Sequence, residues 1–167
     1  MAYDAFIKIE TPNVEGESTA SKFEKQIEVY SFSWGANQPV TIGSGSSGAA
    51  GGKVSISDFN FMKKLESSST KLFSACCTGN HFGKVTVTLR KAGGTANKQI
   101  VFNEYIMEEV YVSSYQLSGS SGGDDTPTES ISMAFSKITF NYYPQKTDGG
   151  QGTVSPASWD LKTVEAT

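Results

Sequence analysis

Gln26-Ile27-Glu28-Val29-Tyr30-Ser31-Phe32-Ser33-Trp34-Gly35 is the stretch whose reading decides the fold. Successive side chains of a strand point to opposite sides, so Ile27 and Val29 share a face. The parity then changes, and Tyr30, Phe32 and Trp34 become the apolar set, expected to belong to the structural core. Such a change means a bulge near Val29-Tyr30, or cover on both faces over the first half of the strand. Beyond it, Ser31, Ser33 and Gly35 form a narrow face of small groups opposite three aromatics. A face of this kind is ordinarily solvated. It also suits a wall past which something slides.

The chain on either side carries the same strand periodicity. Tyr3, Ala5, Ile7 and Ile9 alternate with Asp4, Lys8 and Glu10, with Phe6 breaking the pattern, and Thr11 to Ser21 reads as a polar loop. Val54 to Leu65 reads as one long strand whose parity mixes around Asp58. Val85, Val87 and Leu89 alternate with Lys84, Thr86, Thr88 and Arg90, ahead of a turn at Lys91-Ala92-Gly93-Gly94. Strands are then expected over Ile100 to Tyr105, Val110 to Leu117 and Ser130 to Tyr143, where Pro144 ends the run. One amphipathic helix interrupts this series. Ser68 or Ser69 offers an N-cap, Leu72, Phe73, Ala75, Cys76 and Cys77 follow at helical spacing, and Gly79-Asn80 supplies the stop. The fold class expected is mainly antiparallel β with one short helix, in a single domain over residues 1–167.

In Thr41-Ile42-Gly43-Ser44-Gly45-Ser46-Ser47-Gly48-Ala49-Ala50-Gly51-Gly52 the stretch from Gly43 to Gly52 has almost nothing to pack. Ordering each residue costs on the order of 1–2 kcal/mol of backbone entropy. The segment makes sense as a flexible linker or as an arm that orders against a partner, and it is too short to separate two domains.

With 37% hydrophobic and 11% aromatic residues, the chain has the material for a core and is no disordered polyelectrolyte. A net charge of -3 leaves no basic stripe for releasing counterions, which argues against nucleic acid as a partner. No apolar run approaches the roughly 20 residues needed to span a bilayer as a helix, so membrane insertion is not expected. The opening Met1 to Lys8 lacks a basic region followed by an apolar stretch, so a cleavable secretory signal is not expected either.

Catalytic constellations are missing. His81 is the one histidine and follows the helix stop, a position that reads as a helix-exit turn. The Gly/Ser runs lack the strand-to-helix context of a nucleophile elbow, and none ends in a phosphate-cradling Gly-Lys-Ser/Thr. Asp124, Asp125 and Glu129 lack the register of a calcium loop and read as a solvated acidic turn. Cys76 and Cys77 are adjacent, which does not make a disulfide framework, and are expected to be buried thiols near a helix C-terminus. Neither a cofactor nor a metal is implied.

The remaining motifs fall in a fixed order. Asp4-x-Phe6-Ile7-Lys8-Ile9, Gly16-Glu17-Ser18 and Ser31-Phe32-Ser33-Trp34-Gly35 come first. Ala75-Cys76 before Gly79-x-His81, Arg90-Lys91-Ala92-Gly93-Gly94, Val112-Ser113-Ser114 and Gly119-Ser120-x-Gly122-Gly123-Asp124 follow. Pro144-Gln145-Lys146 and Ser158-Trp159-Asp160-Leu161 complete the set. This order resembles Hcp proteins, the haemolysin-coregulated tube proteins of the type VI secretion system. Ser158 stands where that family usually has glycine.

The resemblance implies a compact antiparallel β-barrel of two sheets with a flanking helix, similar to phage tail tubes. It implies a homo-hexameric ring that stacks into an inner tube and carries effector proteins in its lumen. The other partners implied are a VgrG-like spike and a contractile sheath. Assembly would take place in the bacterial cytoplasm, with ejection through the machine and no cleaved signal. On this reading Ser31 and Ser33 face the lumen, Thr41 to Gly52 is the ring-stacking loop, ordered only where rings stack, and Trp159 belongs to the structural core. No catalytic residue is implied. Two other classes stay open on the residues alone: a monomeric β-sandwich module of lectin or adhesin type, and a carboxylate-based hydrolase.

Overall fold

The structure is a computed structural model that describes residues 3–43, 50–94, 98–123 and 125–167. In chain order the elements are β1 (Asp4–Glu10), β2 (Ile27–Val29), β3 (Ser31–Ser33), β4 (Ala36–Asn37), β5 (Val40–Thr41), β6 (Ala50–Gly51), β7 (Ser55–Ile56) and β8 (Phe59–Lys64). Helix α1 (Ser69–Thr78) follows, then β9 (His81–Ala92), β10 (Gln99–Ser118), β11 (Thr128–Tyr142) and β12 (Ser155–Asp160). Every strand pairing among the described residues is antiparallel.

Eight strands form one sheet in the order β2-β1-β9-β10-β11-β8-β3, with β12 paired to β11. Its two ends, β2 and β3, are consecutive in sequence. The chain pairs with β1 as far as Val29, then with β8 from Ser31, while Tyr30 N–H donates to Met62 O at 2.9 Å. The sheet therefore curls into a nearly closed barrel whose seam is Tyr30. The change of parity has its physical cause here: the strand changes partner, and two successive residues, Tyr30 and Ser31, face outward. Tyr30 is 58% exposed, so the core position expected for it does not hold. Phe32 and Trp34 are partly buried against the core, and Trp159 is half-buried on β12.

Inside lie Ala5, Ile7, Ile9, Ile27, Val29, Val85, Val87, Leu89, Met107, Ile131 and Met133, one contiguous core. Phe32 stacks on Phe59 at 5.6 Å, and Trp34 meets Tyr105 edge-on at 5.4 Å. Phe6 breaks alternation because its outward face is also covered. It stacks on Phe23 of the β1–β2 connection at 4.7 Å, and the Arg90 guanidinium lies over both rings.

Three expected boundaries move. Val54 to Leu65 is divided into β7 and β8 because Ser57 turns to bond Gly35 through both backbone and side chain. The two strands expected between Ile100 and Leu117 are one, β10, with register shifts at Val101/Asn103 and Val112/Ser114. His81 begins β9 and sits 5.3 Å from the Tyr111 ring, so it is a strand residue and not part of an exit turn. Helix α1 ends as expected at Gly79, φ 73°, whose N–H caps Ala75 O. Neither Ser68 nor Ser69 caps its start through the side chain. Ser68 Oγ donates to the Glu66 carboxylate instead, and Ser69 Oγ belongs to a buried cluster with Lys63 and Glu129.

Candidate functional site

Register sorts the outside of the barrel into two regions, because residues directly opposite across antiparallel strands share a face. One region is a row of alternating charge. Glu10 lies opposite Lys84, Lys84 opposite Glu108, Glu108 opposite Lys137, and Lys137 opposite Asp160. Lys137 is 3.6 Å from Glu108. Asp160 accepts the backbone N–H groups of Thr163 and Lys162, which hold its carboxyl below the usual range.

The second region is small, polar and nearly uncharged. Ser114 lies opposite Ser132, Ser132 opposite Asn60, and Asn60 opposite Ser33, a row across β10, β11, β8 and β3. The adjacent row is Gln116, Ser130, Met62 and Ser31. Ser132 Oγ hydrogen-bonds to Asn60 Oδ1, which fixes the row laterally. Ser31 and Ser33, both exposed, are thus two members of a larger surface. Reading one strand at a time could not find Ser114, Ser130 and Ser132, because the register joining them is set by long-range pairing.

From the serine face the β3–β8 hairpin continues beyond the barrel as a narrow ribbon. Ala36 pairs with Ile56, Asn37 with Ser55, Val40 with Gly51 and Thr41 with Ala50. The expected loop Thr41 to Gly52 therefore has a paired stem, while Ser44 to Ala49 lie outside the described residues. Where the ribbon leaves the barrel, β11 exchanges β8 for β12 as its neighbour: Met133 pairs with Phe59, but Ile138 pairs with Trp159. Between ribbon and β12 opens a groove of about 330 Å³, lined by Trp34, Val54, Ile56, Phe140, Ala157 and Trp159.

One cluster has the residue types of catalysis. Lys63 Nζ is 2.9 Å from Ser69 Oγ, which donates to Glu129 Oε2 at 2.8 Å, and Lys63 forms an ion pair with Glu129. Tyr115 O–H also donates to Glu129, and burial, then that bond, push the Tyr115 phenol up to about 12. A lysine beside a serine is one way to activate a nucleophile. Here Lys63 and Glu129 are fully buried and Ser69 is 2% exposed, so no substrate reaches the hydroxyl. Ser69 Oγ also accepts Glu66 N–H at 3.0 Å. The cluster ties the start of α1 to the sheet. Glu129 is consequently no part of a solvated turn, Asp125 is exposed, and Asp124 lies outside the described residues. No group of three or more metal-ligating side chains occurs among the described residues. No helix is long and apolar enough to cross a membrane among them.

Residues 6–142 match the family model described as type VI secretion system effector, Hcp. The chain belongs to the Hcp family. It is 37% identical to the protein hcp1 of Pseudomonas aeruginosa over 97% of both chains. A solved structure described as a type six secretion system protein superposes with a TM-score of 0.92 at 36% identity, covering 99% of this chain and 100% of that one. The crystal structure of Hcp1 from Salmonella typhimurium gives a TM-score of 0.80 at 29% identity, each chain fully covered. The barrel with helix α1 is the Hcp fold, and Hcp proteins are secreted structural proteins of the type VI secretion system.

Within this Hcp fold Cys76 is partly buried and Cys77 exposed, both free in the last turn of α1. The expectation of two buried thiols therefore fails at Cys77. Ten residues of helix turn successive side chains by 100° each, and the face carrying Leu72 and Ala75 points Cys77 outward.

Proposed function

We propose that this Hcp chain assembles as a hexameric ring, that rings stack into a tube, and that the serine face lines the channel in which effectors travel, with no catalytic step. The observation that carries the reading is the row Ser33–Asn60–Ser132–Ser114 with its neighbour Ser31–Met62–Ser130–Gln116. A channel that lets varied cargo pass needs hydrogen-bonding capacity without fixed charge, since desolvating an unpaired charge costs more than any transient contact returns. The charged row Glu10–Lys84–Glu108–Lys137–Asp160, further along the same β10 and β11 strands, suits surface outside the channel.

A closed ring uses one heterologous interface repeated until the rotation closes. The ribbon that carries Thr41 to Gly52 is the part that reaches from one ring to the next when rings stack. The VgrG-like spike and the contractile sheath are the partners that go with a tube, and secretion through the assembled machine goes with its ejection. Light scattering coupled to size exclusion tests the ring. A mass near six times the 17.9 kDa of the chain is expected, and a single-chain mass refutes the reading in favour of a monomeric β module.

A further inference from the structure

We propose that Lys22, Arg90 and Lys98 form a binding site for the phosphate monoester of a small molecule. The three cations come from separate segments and line one hollow of about 480 Å³, together with Ser21, Gln99 and Ile100. None of the residues lining it carries a carboxylate. The site belongs to the single chain and does not depend on the ring reading.

Strand pairing brings the three together. Arg90 on β9 lies opposite Asp4 of β1 and Val101 of β10. Lys98 follows the β9–β10 turn, which Gly93 N–H closes on Lys98 O at 2.7 Å, so the chain returns beside the end of β9. Lys22 sits in the β1–β2 connection. Arg90 Nη1 donates to Ser21 O at 3.3 Å, which ties that connection to β9.

Two of the three are held in place. The Arg90 guanidinium lies over the Phe6 and Phe23 rings, at 4.8 and 5.0 Å, and its Nε donates to Asp4 at 3.2 Å. Three of its five N–H groups still have no partner among the described residues. A guanidinium already fixed loses little freedom on forking to a phosphate. Lys22 occupies the third position of a turn closed by Phe23 N–H on Ala20 O at 2.8 Å, with φ at 69°. That left-handed position favours glycine, so a lysine there stores backbone strain, as residues of ligand clamps do. Neither Lys22 nor Lys98 has an ion pair among the described residues.

Charge selects the ligand. Asp4 offsets one of the three positive charges, reaching Arg90 from an adjoining hollow. Glu28 also lines that second hollow and makes no ion pair with the three. A local surplus of two positive charges remains, in a chain whose net charge is -3. One carboxylate would balance half of it. A phosphate monoester, carrying about -1.5 to -2 at pH 7 and three acceptor oxygens, matches both the charge and the free donors. Ser21 and Gln99 add neutral donors, and Ile100 offers an apolar wall to the organic part.

Calorimetric titration with glycerol 3-phosphate in chloride buffer tests the site, with glycerol as the uncharged control. Saturable binding of one molecule per chain is expected from the phosphate and none from glycerol. Lys22→Gln and Lys98→Gln should each weaken it about 3- to 10-fold, since each removes a charge-assisted contact that solvent partly screens. Lys84→Gln makes the same change of net charge six residues along β9 from Arg90, roughly 20 Å away at about 3.3 Å per residue. That lies beyond a Debye length, so affinity should stay within about 2-fold. No saturable binding overturns the proposal, and so does an equal loss in all three variants, which would report net charge alone. Affinity unchanged in both Lys22→Gln and Lys98→Gln places the ligand elsewhere and overturns it too. A second measurement needs no variant. In the parent protein, glycerol 3-phosphate should slow acetylation of Lys22 and Lys98, read by mass spectrometry, and not that of Lys84. Equal rates at Lys22 and Lys98 with and without the phosphate count against the site.

Discussion

Lys63 and Glu129 pair across β8 and β11 with no solvent contact, and their removal should show strong coupling. Lys63→Met alone leaves a buried carboxylate with only the Ser69 and Tyr115 hydroxyls. Glu129→Leu alone leaves a buried ammonium with Ser69 Oγ, Lys64 O at 3.2 Å and Glu66 at 3.5 Å. Breaking one side of a buried pair costs about 3–5 kcal/mol. Independent effects would sum to about 8 kcal/mol, comparable to the whole stability of a domain. Replacing both partners removes the unpaired charge and is often nearly neutral. Ser69 and Tyr115 would still lose an acceptor, at about 1–3 kcal/mol for a buried hydroxyl. The double variant is therefore expected about 2 kcal/mol below the parent, which implies a coupling of roughly 6 kcal/mol. Urea unfolding at one fixed protomer concentration measures it, since assembly makes apparent stability depend on concentration. If a single variant fails to fold while the double variant folds, the sign of the coupling is already shown. A double variant that loses the sum of the two single losses would falsify the account, as would either single change costing under about 1 kcal/mol.

Tyr115 gives a pH signature: its phenol is raised from 10.0 to about 12, so the neutral form is favoured in the folded state. The stability it contributes is complete below about pH 10 and fades as pH rises towards 12; Tyr115→Phe should flatten that alkaline loss, and an unchanged pH–stability slope contradicts the assignment. Gly16→Ala should cost about 1–3 kcal/mol, because its Cβ would lie 2.5 Å from Gln26 O and the backbone must move. Gly35→Ala, with nothing within 4 Å, should stay within about 0.5 kcal/mol, and thermal melts giving equal losses would show that close approach is not what fixes Gly16. Ser33→Tyr should lower effector co-purification while ring mass is kept; full retention of cargo, or loss of the ring, removes Ser33 from the channel wall.

The strands were legible because period-2 alternation is local. Ile27 and Val29, Val85 to Leu89, and Ile131 to Phe135 all face the core as their spacing requires. Helix α1 was legible from Leu72, Ala75 and the Gly79 stop. What escaped depends on partners distant in sequence. Tyr30 reads as core by parity, yet it sits where the strand exchanges β1 for β8, and only closure of the barrel reveals the corner. Glu129 beside Asp124 and Asp125 reads as part of an acidic turn, because nothing local announces that Lys63 will lie opposite it. The serine face shows the same limit. Ser31 and Ser33 carried a signal through their aromatic neighbours, while Ser130, Ser132 and Ser114 joined them only through register. The family motifs carried the fold and the role further than periodicity did, because they record those long-range pairings indirectly.

One ten-residue stretch thus performs three tasks in succession, and their order along the chain constrains the assembly. Gln26 to Val29 belongs to the barrel wall next to β1. Tyr30 turns the corner, Ser31 to Ser33 joins the serine face, and from Gly35 the chain departs as the ribbon. Serine face and ribbon root are therefore fixed to each other through β3 and β8, with Phe32 and Phe59 stacked beneath them. The direction in which the ribbon leaves is set by the same hairpin that presents Ser33 and Asn60. A substitution at the Phe32–Phe59 stack should therefore disturb the ribbon root and the serine face together, lowering ring mass by light scattering and effector co-purification in the same variant.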